Sequence, residues 1–172
     1  MQIKRTNRLT QRKFLSENKN LKILDLGCSL VNYWKEANHF ADIDDHGEEF
    51  KKRNLNYTKI EPNKKLPFKD KEFDYIIASH VVEHVEDISY FLNELSRIGK
   101  RGYIEVPTPL WDNLVDGPHF VKYGHKWWVT FDDNENKIII NKKINIVNRF
   151  LSIEEHNKHM MWFRDSIVTQ LY

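Results

Sequence analysis

Apolar residues fall along this chain in short runs separated by polar stretches. Leu21 to Leu26 (LKILDL) ends at Gly27, and so dense a run predicts a strand buried on both faces. His39 to Ile43 (HFADI) is a second run, closing in Asp44 and Asp45. Phe73 to Ser79 (FDYIIAS) is a third, and Gly102 to Val106 (GYIEV) a fourth, stopped by Pro107. Between the last two, Ile88, Phe91, Leu92, Leu95 and Ile98 recur at helical spacing, with Gly99 placed to supply a left-handed C-terminal cap. A strand, helix, strand unit of this size is a βαβ crossover and implies a parallel sheet.

Weaker patterns complete the chain. Residues 8–19 suit a short basic helix with Leu9, Phe14 and Leu15 as apolar contacts. Lys126 to Phe131 and Lys137 to Ile140 flank the polar stretch Asp132 to Asn136, which predicts an antiparallel hairpin. Ser152 with Glu155 forms a capping box opening a helix that carries Ile153, Met160, Phe163, Ile167 and Leu171. Helices alternate with strands, so the expected class is α/β with a mostly parallel sheet.

Composition narrows the picture. The 172 residues suit one domain, with no repeat and no dividing linker. Twenty-seven basic against 25 acidic residues leave a net charge of +2, which argues against a nucleic-acid partner because phosphate contacts need a clustered basic surface. No apolar run approaches the ~20 residues of a membrane helix, and Met1 to Asn20 lacks an apolar signal core, so no membrane partner is expected. A single cysteine, Cys28, excludes an internal disulfide and fits a reducing cytoplasm.

In an open parallel sheet, ligands bind beyond the carboxyl ends of the strands. After the first strand come Asp25, Gly27, Cys28 and Ser29, where a glycine turn and a helix N-terminus behind it would offer backbone N–H groups to an anion. After the second come Asp42, Asp44 and Asp45, where a carboxylate can accept both hydroxyl protons of a ribose. The dinucleotide fingerprint GxGxxG is absent, since the turn reads Gly27-Cys28-Ser29-Leu30-Val31-Asn32.

The segment LPFKDKEFDYIIASHVVEHVED, Leu66 to Asp87, resembles the region around the fourth strand of class I S-adenosylmethionine-dependent methyltransferases of the type 11 kind. Upstream, ILDLGCS resembles that family's first motif and ADIDD its acidic second-strand end. Downstream, FLNELSRIGKRGYIEVP resembles its following helix and fifth strand. The resemblance covers residues 21–108 in order. It implies a Rossmann-like sheet with helices on both faces, in a compact version with a C-terminal antiparallel hairpin, and S-adenosylmethionine as cofactor. The expected organisation is one domain, residues 1–172. A basic N-terminal helix (1–20) precedes a cofactor half (21–108) and a substrate-side loop, hairpin and final helix (109–172).

The implied cofactor residues are Asp25, Gly27, Cys28, Ser29, Asp42 or Asp44 for the ribose, Glu61 near the adenine and Ser79 near the methyl-transfer centre. Ser29 stands where the family carries a second glycine. The interval from Gly27 to Asp42 is short, so the first helix must be brief. His80 is the first candidate for base or acceptor orientation, with His119 or His125 reaching in from the aromatic-rich stretch Pro107 to Trp128. That stretch reads equally as a lid or as core packing.

The expected reaction is in-line methyl transfer to a small-molecule acceptor, a sugar or a polysaccharide or lipid precursor. A second subunit could enclose the substrate, which leaves a homo-oligomer open. Two other readings compete. One is a methyltransferase-like binding subunit without catalysis. The other is a zinc hydrolase using the H-x-x-E-H pattern of His80, Glu83 and His84, which requires both histidines on one helical face. No metal is expected on the first reading.

Overall fold

The computed structural model describes residues 3–109, 112 and 124–144. Contacts divide the chain into two units, Arg8–Val106 and Met1–Asn7 with Pro107–Tyr172. The first carries α1 (Arg8–Glu17), β1 (Ile23–Leu26), β2 (His39–Asp42), α2 (Gly47–Lys52), β3 (Asn56–Lys59), β4 (Tyr75–Ser79), α3 (Ile88–Ile98) and β5 (Gly102–Glu105). Its five strands form one sheet in the order β3-β2-β1-β4-β5, and every pairing is parallel. The second unit carries β6 (Trp127–Asp132) and β7 (Lys137–Lys142), an antiparallel pair pairing Trp127 with Lys142 and Asp132 with Lys137.

Period-two alternation sorts the side chains of the parallel sheet between two cores. On one face, Leu24, Leu26, Ile76 and Ala78 pack under Leu95 and Ile98 of α3. On the other, Ile23, Phe40, Tyr75, Ile77 and Tyr103 meet Leu15 of α1, Phe50 of α2 and Trp34. Both faces of the sheet are therefore covered, as a parallel sheet requires.

Several local expectations differ from the structure. Gly99 is extended (φ −117°), so it is no left-handed cap. A Cβ there would lie 2.3 Å from Cδ1 of Ile76, and the residue is glycine so that α3 can close onto β4. The end of α3 is capped instead by Lys71, whose ammonium donates to the carbonyls of Ser96 and Gly99. Leu9 is 80% exposed rather than an apolar contact of α1, while Gln11 is buried and bonds the Tyr75 hydroxyl. Strand β3 (NYTK) and the short α2 carry too few apolar residues to stand out from the pattern. The helix expected from Ser152 lies outside the described residues.

The segment between β3 and β4 has no strand or helix, and Arg97 of α3 holds it. Its Nη1 donates to the Phe68 carbonyl (2.7 Å) and Asp70 (2.9 Å), and its Nη2 to the Leu66 carbonyl (2.9 Å). Nε and Nη2 grip both oxygens of the buried Glu94, and Glu94 Oε2 also accepts the Leu66 N–H. This network seats Leu66 and Phe68 in the core. Arg97→Met leaves Glu94 buried without its cation and should cost about 3 kcal/mol, read as a lower urea midpoint with an unchanged slope. Arg97 holds the Glu94 carboxyl below its ordinary value. The stability it adds is therefore present above the ordinary carboxylate range and lost as pH falls through the lower folded value. The variant should lose that acid-sensitive component, and an unchanged midpoint would mean that the network is ornamental.

Candidate active site

Register builds the site at the carboxyl edge. Leu26 pairs with Ala41, so the next residues along the two strands, Gly27 and Asp42, stand side by side. The Gly27 N–H donates to the Ala41 carbonyl at 2.8 Å, and its φ of +82° is a conformation that side-chain-bearing residues resist. A Cβ at Gly27 would also lie 2.1 Å from Cγ2 of Val81, in the loop after β4. Asp42 is half-buried, and its Oδ1 accepts the Asp44 N–H at 2.8 Å. Burial holds its carboxyl above the ordinary value, against that hydrogen bond. Asp44 is exposed, and its carbonyl accepts the Tyr57 hydroxyl. Of the two ribose candidates, Asp42 thus sits beside the glycine turn. Asp42, Asp44 and His46 can each bring one ligand atom within 4.8 Å of the others. Glu61 follows β3 on the same edge, exposed and paired with Lys64.

The crossover from β1 to β2, residues 27–38, contains no helix. With so few residues available, a turn-rich loop replaces the expected brief helix. Some of its amides are used within the loop: Ser29 N–H donates to the Asn32 carbonyl, and the Asn32 N–H returns to the Ser29 hydroxyl. Trp34 N–H donates to Asp25 Oδ2 at 2.7 Å. Asp25 is only 2% exposed, and burial raises its pKa to about 6, with the Trp34 amide opposing and Asp42 adding to the rise. The Cys28 thiol is buried at 3.7 Å from the Ala41 carbonyl, and burial pushes its pKa far up, so it is no thiolate nucleophile.

At the ends of β4 and β5 stands a cation that the sequence reading passed over. Arg8, the first residue of α1, lies with its guanidinium 5.0 Å from the Trp34 ring centroid. Its Nη2 reaches the Ser79 hydroxyl at 3.5 Å, and Ser79 in turn donates to Glu105 at 2.6 Å. Arg8 Nε is 3.4 Å from Glu105 but buried without a hydrogen bond. Nothing in the one-dimensional pattern marks Arg8, because a basic residue opening a basic helix looks like solvated surface.

His80 follows directly, with φ of +57°, and its N–H donates to the Glu105 carbonyl at 2.8 Å. Left-handed backbone in a non-glycine residue is strained and concentrates at functional sites. Its Nδ1 lies 3.4 Å from Oε1 of Glu83, and His84 Nε2 lies 3.9 Å from the same oxygen. Residues Val82–His84 form a single 3₁₀ turn. The helical face demanded by the zinc reading is therefore absent. Glu83 raises the pKa of His80 above the ordinary imidazole value, burial and Arg8 oppose the rise, and Glu105 adds to it.

In the second unit, His125 Nδ1 meets Asp112 at 2.5 Å; Trp128 Nε1 and Lys143 also donate to this carboxylate. Burial alone would raise the Asp112 carboxyl, yet these partners outweigh it and hold its pKa at about 2. The neighbouring candidate His119 lies outside the described residues.

Residues 24–104 match the methyltransferase domain family. The chain is 28% identical over 150 residues to a ubiquinone biosynthesis O-methyltransferase of Pelagibacter ubique, covering 74% of this chain and 62% of that protein. It is 33% identical over 73 residues to a bifunctional methionine biosynthesis protein, MetXA/MetW, of Rhodopirellula baltica, covering 42% of this chain and 11% of that one. It thus spans less than two thirds of either curated relative. Among solved structures, an S-adenosylmethionine-dependent methyltransferase of Mesorhizobium loti matches with a TM-score of 0.50 at 14% identity, over 90% of this chain and 78% of that chain. The methyltransferase-domain match thus takes in β1 to β5, a little under half of the chain. No helix among the described residues is long and apolar enough to cross a membrane.

The family's cofactor is S-adenosylmethionine, and the residues present fit it in part. Asp42 beside Gly27 suits a ribose, and the orphaned Nε of Arg8 suits a carboxylate. The amides of the glycine turn do not offer the cradle that the sequence suggests, because Gly27 and Ser29 donate within the protein.

Asp25 provides a test of this edge. Its carboxyl is protonated below about pH 4 in both folded and unfolded chains, and ionised in both above about 6. In between, the folded chain keeps the proton. Stability therefore falls as pH rises through this window, by about 3 kcal/mol at most. Asp25→Asn can still accept the Trp34 N–H, and it should flatten this component of the denaturation free energy between pH 4 and 6. A variant with the wild-type slope would refute a raised Asp25.

Proposed function

We propose that this chain is an S-adenosylmethionine-dependent methyltransferase acting on a small-molecule acceptor, with a sugar or a polysaccharide or lipid precursor as the class to test first. The observation that carries the reading is the juxtaposition on one sheet edge of Asp42 beside Gly27 and of His80 beside Ser79. A nucleoside held at the first pair lies along the edge from the second. The near-neutral charge supports a small acceptor over a nucleic acid.

Bound S-adenosylmethionine supplies a methyl group already made electrophilic by its sulfonium, so the protein has chiefly to orient and to exclude water. Asp42 holds the ribose hydroxyls, with Asp44 and Glu61 flanking it on the same edge. Arg8 holds the carboxylate of the methionine end in place of the amides around Ser29. Ser79, bonded to Glu105, fixes the floor under the acceptor, and His80 accepts its proton where it has one to lose. His125 is bonded to Asp112.

A binding subunit without catalysis is the second reading, favoured by the internally bonded turn amides. Calorimetric titration with S-adenosylmethionine and S-adenosylhomocysteine separates the possibilities. Both should bind, and Asp42→Ala should weaken each by about 10- to 100-fold. Arg8→Ala should weaken S-adenosylhomocysteine far more than methylthioadenosine, which lacks the carboxylate. Absence of binding by either cofactor form defeats the enzyme reading. Binding without turnover on any hydroxyl, amine or carbon acceptor supports the subunit.

A further inference from the structure

Glu83 is among the most deeply buried side chains of the chain, at 1% exposure, yet neither carboxylate oxygen makes a hydrogen bond. A buried, unsatisfied carboxylate is costly to keep. Fold does not explain it, because the 3₁₀ turn of residues 82–84 needs no side-chain acceptor and Val82 beside it already packs the interior. The polar groups near it are imidazoles. His80 Nδ1 lies 3.4 Å from Oε1, and His84 Nε2 lies 3.9 Å from it. The two histidines differ in placement. His80 is 45% exposed in its side chain, at the carboxyl edge, on a strained left-handed backbone that its N–H bond to Glu105 keeps in place. His84 is 22% exposed and lies on the turn itself.

We infer that Glu83 is a positioning residue: it takes the Nδ1–H of His80, fixes that tautomer and leaves Nε2 as the proton acceptor for a hydroxyl acceptor. This rests on the methyltransferase reading above and deepens it to acceptors that give up a proton, a hydroxyl first among them, since a thioether or tertiary amine has none to lose. The balance is simple. The O–H electron pair stays on oxygen, which bonds the methyl carbon as the pair of the breaking C–S bond returns to sulfur, and the proton passes to Nε2 and then to water. The 3.4 Å separation is looser than a formed hydrogen bond, as expected of catalytic contacts before the substrate closes the site. Among the described residues, the charged groups that act on His80 are Glu83 on the turn, Glu105 at the end of β5 and Arg8 at the start of α1. Only Glu83 is both buried and close to a ring nitrogen. The contact with Glu83 also raises the pKa of His80 above the ordinary imidazole value, against burial and Arg8.

Nitrogen-15 NMR of histidine-labelled protein tests this without knowing the acceptor. His80→Ala assigns the resonance among the eight histidines. In the wild type at alkaline pH, His80 should be the Nδ1–H tautomer. In Glu83→Gln its titration midpoint should fall by about 1 pH unit, while the backbone spectrum and S-adenosylhomocysteine binding stay as in the wild type. A wild-type His80 in the Nε2–H form overturns the proposal even if the variant does not fold. So does an unmoved midpoint in a folded variant. Absence of S-adenosylhomocysteine binding to the wild type with the tautomer as expected would instead defeat the cofactor reading and leave the dyad standing.

Discussion

The hydrogen bond from the Trp34 N–H to the buried Asp25 carboxylate is the constraint on which this edge depends. Residues 27–38 must carry the chain from the end of β1 back to the start of β2, and parallel neighbours ordinarily use a helix for that return. Here the loop is too short and turns instead. A loop lacks the helix's own hydrogen bonds and its broad apolar face, and the protein supplies both from elsewhere. Asp25, inside β1, takes the Trp34 amide, and the Trp34 ring enters the core beside Tyr103 with Arg8 and Arg12 over it. Asn38 closes the far end by accepting the Ile23 N–H. Burial of the acid that anchors the loop, opposed by the Trp34 amide, is why its pKa stands near 6.

The shortened crossover reshapes what the edge can do. A helix would have pointed free amides at a ligand. Here the Gly27, Ser29 and Trp34 amides donate within the protein, and the proposed function accordingly gives recognition to side chains: Asp42 on one flank, Arg8 on the other, and His80 beyond Ser79. Gly27 is needed for a reason internal to the protein, since Val81 fills the space beside it. That contact joins the loop after β1 to the loop after β4, so the ribose side and the histidine side of the edge are mechanically continuous.

Much of this was legible in the residues. Dense apolar runs marked β1, β2, β4 and β5 within a residue or two, and helical spacing marked α3, because burial on a parallel sheet and along a helix stripe leaves a strong imprint. The hairpin was marked by its polar turn, where Asp132 accepts the Asn134 and Glu135 amides and Asn136 takes a positive φ. Strand β3 was hidden because an edge strand of residues Asn56 to Lys59 is half-polar by necessity. Among site residues, Asp42 and His80 could be placed from the strand they end. The partnership of His80 with Glu83 could be read only as a helical metal motif, because sequence spacing does not tell a 3₁₀ turn from the start of an α-helix. Arg8 needed the third dimension altogether.

The electrostatics of the edge favour a cation. Asp25 and Asp42 both hold pKa values above the ordinary range, and each of Asp42 and Glu36 pushes Asp25 further up. Desolvation is the larger cause in both, but the mutual repulsion means that ionising one carboxyl costs more while the other is charged. A positively charged ligand beside them relieves that repulsion and lets both ionise; an anionic one compounds it. Arg8 offsets part of this field and is drawn toward Glu105 as well, so it is placed to meet the negative end of a zwitterionic ligand whose positive centre faces the acids. Transfer of a methyl group from a sulfonium discharges that positive centre. On the proposed function, the spent cofactor would lose its attraction to the acids while Arg8 and Asp42 still held it, so the charges that favour entry of the cofactor would also favour release of its product.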